Sequence, residues 1–421
     1  MRRDFLKACA ATGLGLAAPL RLGARAKDEP YPGPYYVVFN ASGGWDTTYL
    51  MDPKGVNGIN RLFKRDDILT KGAHTFAPVK KHIKGGTANE DFYAEFGDEL
   101  LTFNGLDYSV NNHSPGARYM ATGKLDSTDY PTFAALVAAC RGPDCPLAFL
   151  TFGNYSATGN LTAMSRVPYL PSLRKIANAD GVEGNERSPY HDKFALDRIE
   201  AALREANATA TDKRLPRAER GENMLYAAQV NSKALQRVTQ YIPATVPKER
   251  LAQQAEIALA SFKAGVCVSA NLSIGQFDSH ANNDADQMKL IPEFLAGIAY
   301  TVRRAGELKI REQLVVVIQS EMGRTPDYNA GNGKDHWSIG SVMFMGRGIK
   351  GNRVLGATDD KQFAVPFDPA ALKTDKAKGI RVRPEHVHET LREFAGVADH
   401  PASKKFPLGV KPEEKLKGFW G

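Results

Sequence analysis

Leu314-Val315-Val316-Val317-Ile318-Gln319-Ser320-Glu321-Met322-Gly323-Arg324-Thr325 is the most telling stretch of the chain. Leu314 to Ile318 has no polar face, so it reads as a strand buried on both sides. It runs straight into a turn carrying an acid and an arginine. The same pattern recurs outward in both directions. Tyr35 to Phe39 is a short apolar run ending in Ser42-Gly43-Gly44-Trp45-Asp46. Leu100 to Phe103 ends at Asn104-Gly105, and Leu147 to Phe152 reads as a further strand. Val266 to Leu272 is followed by Gln276-Phe277-Asp278-Ser279-His280, and Ser341 to Met345 is a later strand. Helical stretches lie between: 131–139 with a proline near its start, 286–308 despite Pro292, and 385–394. Residues 165–264 read mostly helical. Met224, Ala228, Leu235, Val238 and Ile242 line one face there, Leu251, Ala255, Leu259 and Phe262 another, and Gly265 fits a C-cap. Alternating strands and helices predict an α/β sandwich with a mainly parallel sheet covered on both faces. Residues 27–421 then form one domain, with a helical insertion at about 165–264.

Composition excludes other classes. Of the 421 residues, 43% are hydrophobic and 24% charged, which excludes wholesale disorder and a polytopic membrane protein. Half of the net charge of +8 lies in the first 26 residues, on Arg2, Arg3, Lys7, Arg21 and Arg25 against Asp4. The remainder shows no basic stripe interleaved with aromatics, so no nucleic-acid partner is expected. Met1-Arg2-Arg3-Asp4-Phe5-Leu6-Lys7, the weakly apolar run Ala8 to Leu20 and Ala24-Arg25-Ala26 read as a twin-arginine signal peptide over residues 1–26. Its apolar run is too short to span a bilayer, so no stable membrane anchor is expected. The expected partner is the twin-arginine export machinery, and the expected location periplasmic or secreted. Cys140 and Cys145 bracket the turn sequence Arg-Gly-Pro-Asp and are expected to form a disulfide in that compartment. Cys267 reads as a buried strand residue.

Several strand ends are followed by metal-binding residue types: Asp46, His113-Ser114, Asp278 with His280, Glu321, and Asp335-His336. A lone aspartate there is ordinarily a cap or turn former, and a lone histidine ordinarily structural. Recurrence at successive strand ends is harder to dismiss, because parallel strands deliver their carboxyl ends to one edge. Carboxylates with imidazoles suit Zn²⁺, Mn²⁺ or similar ions. The candidate ligands are Asp46, His113, Asp278, His280, Glu321 and His336, for a divalent metal that is Zn, Mn, Ca or Mg. Arg118 or Arg324 would clamp an anion bidentately. Arg324 reads equally as an ion pair tying down its own loop. Asp335 would orient His336 or turn the chain.

Ser-Gly-Gly-Trp-Asp (42–46), Phe-Asp-Ser-His (277–280), Ser-Glu-Met-Gly-Arg-Thr-Pro (320–326), Asp-His-Trp (335–337) and Met-Gly-Arg-Gly-Ile-Lys-Gly (345–351) occur in one order over residues 35–395. As a set they resemble the twin-arginine-exported proteins of unknown function that are sulfatase-like members of the alkaline phosphatase superfamily. The resemblance implies an α/β/α sandwich and metal-dependent hydrolysis of phosphate or sulfate esters, with a small anionic ester as substrate. It puts Asp46 at the metal-binding aspartate after the first strand. It puts Asp278 and His280 at an Asp/His pair, and His336 at the late histidine ligand. Glu321 falls where the superfamily has Asp-His, which removes one imidazole and leaves a second metal site open. No Cys-x-Pro-x-Arg occurs, so formylglycine chemistry is excluded. The alternative is a secreted binding or surface protein on a degenerate hydrolase fold.

His113-Ser114-Pro115-Gly116-Ala117-Arg118-Tyr119-Met120-Ala121-Thr122-Gly123 resembles the stretch that carries the nucleophile in phosphatases and sulfatases. Ungapped alignment on Thr122-Gly123 puts His113 at the nucleophile position; one gap restores Ser114. A serine nucleophile would form a covalent ester intermediate. A histidine there would serve as a metal ligand, with water as the attacking group. Ser114 as N-cap with Pro115 at the first helical position fits either.

Overall fold

The computed structural model describes residues 29–55, 58–81, 84–177, 181–182, 185–189, 192–208 and 232–421. The twin-arginine segment and its cleavage site, Met224 and Ala228 lie outside the described residues.

Eight strands form the central sheet: β1 (Tyr35–Ala41), β2 (Leu101–Asp107), β3 (Phe149–Thr151), β4 (Met164–Ser165), β5 (Ser269–Ile274), β6 (Leu314–Ser320), β7 (Ile339–Gly346) and β8 (Arg353–Gly356). Their spatial order is β8-β2-β7-β6-β1-β5-β3-β4. β1 lies between β5 and β6 and is parallel to both, with Val37 opposite Val316 and Ala270. The unbroken apolar run of β6 follows from this central place. Val316 and Ile318 face one core with Val37, Phe39 and Ala41; Val315 and Val317 face the other with Tyr36 and Val38. Each such side chain contributes about 1.5–3 kcal/mol by leaving water. The sheet is therefore mixed α/β and mostly parallel.

Helices cover both faces. On the first lie α1 (Asn89–Phe96), α4 (Arg250–Lys263) and α5 (Asn283–Glu307). On the second lie α3 (Phe133–Arg141) and α6 (Pro384–Phe394). Thr132 caps α3, its Oγ1 accepting from Ala135 N at 3.2 Å. Pro292 stays inside α5, and its carbonyl accepts a bond from Thr87 N at 2.9 Å. The last helix of the sequence-predicted insertion, α4, packs on the sheet through Leu251, Ala255, Leu259 and Phe262. Between it and β4 the chain forms helices at Leu170–Ala177 and Lys193–Ala208, and a hairpin, Gly181–Val182 with Asn185–Pro189.

One strand runs against the rest. β7 pairs antiparallel with both β6 and β2. Its start, Ile339, lies opposite Asp107 at the end of β2. The segment entering β7 therefore reaches the same sheet edge as the segments leaving β1, β2, β5 and β6. That reversal brings His336, which precedes a strand, to residues that follow strands.

The expected disulfide does not form: Cys140 and Cys145 are free thiols. Cys145 Sγ lies 3.9 Å from Gly265 O. Burial pushes the thiols up, to about 11 for Cys140 and about 12 for Cys145. Cys140, Cys145 and Cys267 should all alkylate with iodoacetamide in urea without reductant, and should resist it in the folded protein at pH 8. A count by mass spectrometry in which only Cys267 reacts would restore the bridge.

Candidate metal centre

The first segment comes after β1. Gly43 and Gly44 hold φ of +117° and +89°, so the chain turns where a side chain would be strained. A Cβ on Gly43 would also lie 2.6 Å from Asp278 N. This tight turn stacks the β1 loop on the β5 loop. Beyond β2, Asn112 is the N-cap of α2 (His113–Thr122), making no side-chain cap bond. Ser114 is thus the second helical residue and not the cap, and it is exposed. His113 is the first, at the positive end of the helix.

Three imidazoles converge on one carboxylate. Asp278 Oδ2 lies 3.2 Å from His113 Nε2. Asp278 Oδ1 lies 3.1 Å from His280 Nε2 and 3.2 Å from His336 Nε2. The two Nε2 atoms of His280 and His336 are 3.0 Å apart. One ligand atom from each of His113, Asp278 and His336 lies within 4.8 Å of the others.

The other ring nitrogens are all held by acceptors. His113 Nδ1 donates to Glu321 Oε1 at 2.9 Å, His280 Nδ1 to Asp335 Oδ1 at 2.9 Å, and His336 Nδ1 to Asn111 O at 2.8 Å. A neutral imidazole has one N–H, and a carboxylate or carbonyl can only accept. Each ring therefore turns an Nε2 lone pair toward Asp278. Lone pairs facing each other at 3.0 Å repel unless a positive charge lies among them. Orientation through Nδ1 is how proteins fix imidazole metal ligands. The two nitrogens and one carboxylate that lie mutually within reach, with His280 beside them, fit a divalent cation of the zinc type.

Arg324 holds Asp278 in place. Its side chain is 0% exposed and donates to Asp278 Oδ1 at 2.7 Å. It also donates to Gly44 O at 2.8 Å, to Lys334 O at 3.1 Å and to Gly43 O. Partial burial alone would raise the Asp278 carboxyl. The Arg324 guanidinium, by hydrogen bond and charge, outweighs it and holds the group at about 2. Burial pushes the Glu321 carboxyl up, offset in part by His113. The hydrogen bond from His280 pulls Asp335 down.

The other candidates stand elsewhere. Glu321 backs His113 and accepts from Gly43 N at 3.0 Å; its side chain is 7% exposed. Asp46 is fully buried and bonded to Lys334 Nζ at 2.8 Å. Arg118 spends its Nε and Nη2 on Leu125 O, at 2.9 and 2.5 Å, closing the end of α2. Neither Arg118 nor Arg324 is therefore a free anion clamp; the ion-pair reading of Arg324 describes it. Asp335 orients His280 rather than His336. Lys334 and the Asn111 carbonyl were not singled out from sequence. A lysine beside Asp335-His336 gives no signal that its ammonium turns inward, and a carbonyl has no sequence signature.

Residues 37–375 match the family described as "Protein of unknown function (DUF1501)". The chain belongs to that family. No curated protein matches this DUF1501 chain. Among solved structures it is similar to Ps i-CgsB, at 10% identity and TM-score 0.41, covering 87% of this chain and 72% of that one. It is similar to the lipoteichoic acid synthase LtaP from Listeria monocytogenes, at 6% identity and TM-score 0.38, covering 88% and 74%. A TAB5 alkaline phosphatase variant with Mg bound matches at 8% identity and TM-score 0.37, covering 87% and 99%. Similarity at this level concerns the overall trace, so the chemistry is read from this chain's own residues.

Two outcomes test the arrangement. Asp278 is held low, so the stability its ionised form contributes is complete above its unfolded value near pH 4 and is lost as pH falls through about 2. Asp278→Asn should flatten the acid limb of an unfolding curve between pH 4 and 2; an unchanged limb would refute the Arg324 hold. Arg324→Lys strips three backbone carbonyls of their donor and should cost about 3 kcal/mol in urea denaturation.

Proposed function

We propose that this protein is an exported, metal-dependent hydrolase of phosphate or sulfate esters. One observation carries the reading: three imidazoles with Nδ1 anchored on acceptors and Nε2 turned to Asp278. Such a cluster, partly open to solvent, suits a cation that also meets a substrate. His113, Asp278, His280 and His336 would hold the ion. A divalent cation bound there supplies Lewis acidity toward an ester oxygen.

The chain's own groups supply the rest. Glu321, Asp335 and the Asn111 carbonyl fix which nitrogen of each ring carries the proton. Arg324 keeps Asp278 ionised. Ser114, exposed beside His113, offers a hydroxyl to the substrate at the positive end of α2, where an anionic group is favoured. His113 acts as ligand, and Ser114 is the adjoining anion donor or nucleophile. Export rests on the twin arginines and on Ala24-Arg25-Ala26. No helix among the described residues is long and apolar enough to cross a membrane.

The test is elemental analysis of the purified protein, with p-nitrophenyl phosphate and p-nitrophenyl sulfate as probes. The wild type should carry a divalent metal and cleave one ester. His336→Ala should lose the metal. Asp335→Ala removes the acceptor of His280 Nδ1 and of Asn329 Nδ2, and should weaken metal affinity about 10–100-fold. Ser114→Ala should keep the metal. A folded His336→Ala protein with undiminished metal would sink the assignment, and a metal-bearing wild type inert toward both esters would sink the activity.

A further inference from the structure

We infer that this centre takes a single ion, because Asp46 already holds the Lys334 ammonium as its cation. The inference rests on the metal reading above and adds its stoichiometry. The sequence resemblance put Asp46 among the ligands; its surroundings do not fit that role.

Asp46 has no coordination site left. Oδ1 accepts from Thr48 N at 3.0 Å and from Thr48 Oγ1 at 2.6 Å. Oδ2 accepts from Asn283 Nδ2 at 3.0 Å and from Lys334 Nζ at 2.8 Å. Four donors fill the four lone-pair positions of a carboxylate. The ammonium is held by two acceptors. It donates to Ile59 O at 2.6 Å and lies 5.1 Å from the ring centre of Tyr328 and 5.9 Å from that of Tyr49. Both side chains are 0% exposed. A divalent ion at Asp46 would have to expel this ammonium, or share one buried carboxylate with it against strong repulsion.

The backbone of Lys334 is also tied to the centre. Lys334 N donates to Ser279 O at 3.0 Å, and Lys334 O accepts from Arg324 Nη1 at 3.1 Å. Ser279 stands between Asp278 and His280, and Lys334 directly precedes Asp335 and His336. The residue that pairs with Asp46 is thus anchored through its backbone to the segments that carry the cluster.

The test is metal stoichiometry. The purified chain is equilibrated with excess Zn²⁺ alone, desalted, and its zinc counted by mass spectrometry per mole of protein. The same count is made on the double variant Asp46→Asn with Lys334→Met, which removes both charges at nearly constant volume. One equivalent is expected in each. Two equivalents in the wild type would overturn the inference, whether or not the double variant folds. Zero equivalents in the wild type would instead overturn the metal reading on which it rests.

Discussion

The guanidinium of Arg324 ties four segments at one point. It bonds the backbone after β1 at Gly43 and Gly44, the carboxylate of Asp278 after β5, and the backbone of Lys334 before β7. Its own residue follows β6 and pairs with His336 in a short antiparallel ladder. A planar cation with rigidly placed donors can do this where a lysine, with one mobile ammonium, cannot. Without it, Asp278 would lose its charge partner and three buried carbonyls would lose their donor. The imidazoles would then converge on nothing fixed.

Burying such charges is costly, and the fold meets the cost by full pairing. Asp46 and Lys334 are both removed from water; Asp46 accepts four bonds, and Lys334 donates to Asp46 Oδ2 and to Ile59 O beside two tyrosine rings. Removing either partner of such a buried pair costs about 3–5 kcal/mol, because the other is left uncompensated. Glu321 is the exception: its Oε2 is buried without a protein partner among the described residues. A carboxyl in that setting is pushed up by burial, and His113 and Gly43 N keep it in place through the other oxygen. Around Asp278 the design differs. The carboxylate is 41% exposed at the side chain, and His280 47%, so this part of the cluster meets solvent while Arg324 and Glu321 behind it do not.

The two layers follow from the sheet. β1, β5 and β6 are buried on both faces, so their side chains are spent on packing. Polar residues within them, such as Asn40 and Gln319, bond to one another, and the residues of the cluster stand outside these strands. Glycines at 43 and 44 let the first loop come close to the second, and the reversed strand β7 brings His336 from the other direction. The cluster therefore draws on four loops whose residues are far apart in sequence.

Much of this was legible in the chain itself. Unbroken apolar runs such as Leu314 to Ile318 can only be central strands, and the polar residues after them mark one edge. Periodicity and strand-end position were enough to nominate His113, Asp278, His280 and His336. What they could not decide was which polar groups face the open centre and which face each other. Asp46 and Glu321 look like ligands in sequence, but Lys334 takes the first and His113 the second. Arg118 and Arg324 look like clamps, but backbone carbonyls at Leu125, Gly43 and Gly44 claim them. Cys140 and Cys145 have disulfide spacing, but both remain free thiols packed against the core. These outcomes depend on directions of bonds between segments distant in sequence. Sequence determines residue type and local period, whereas only tertiary packing determines which donor meets which acceptor.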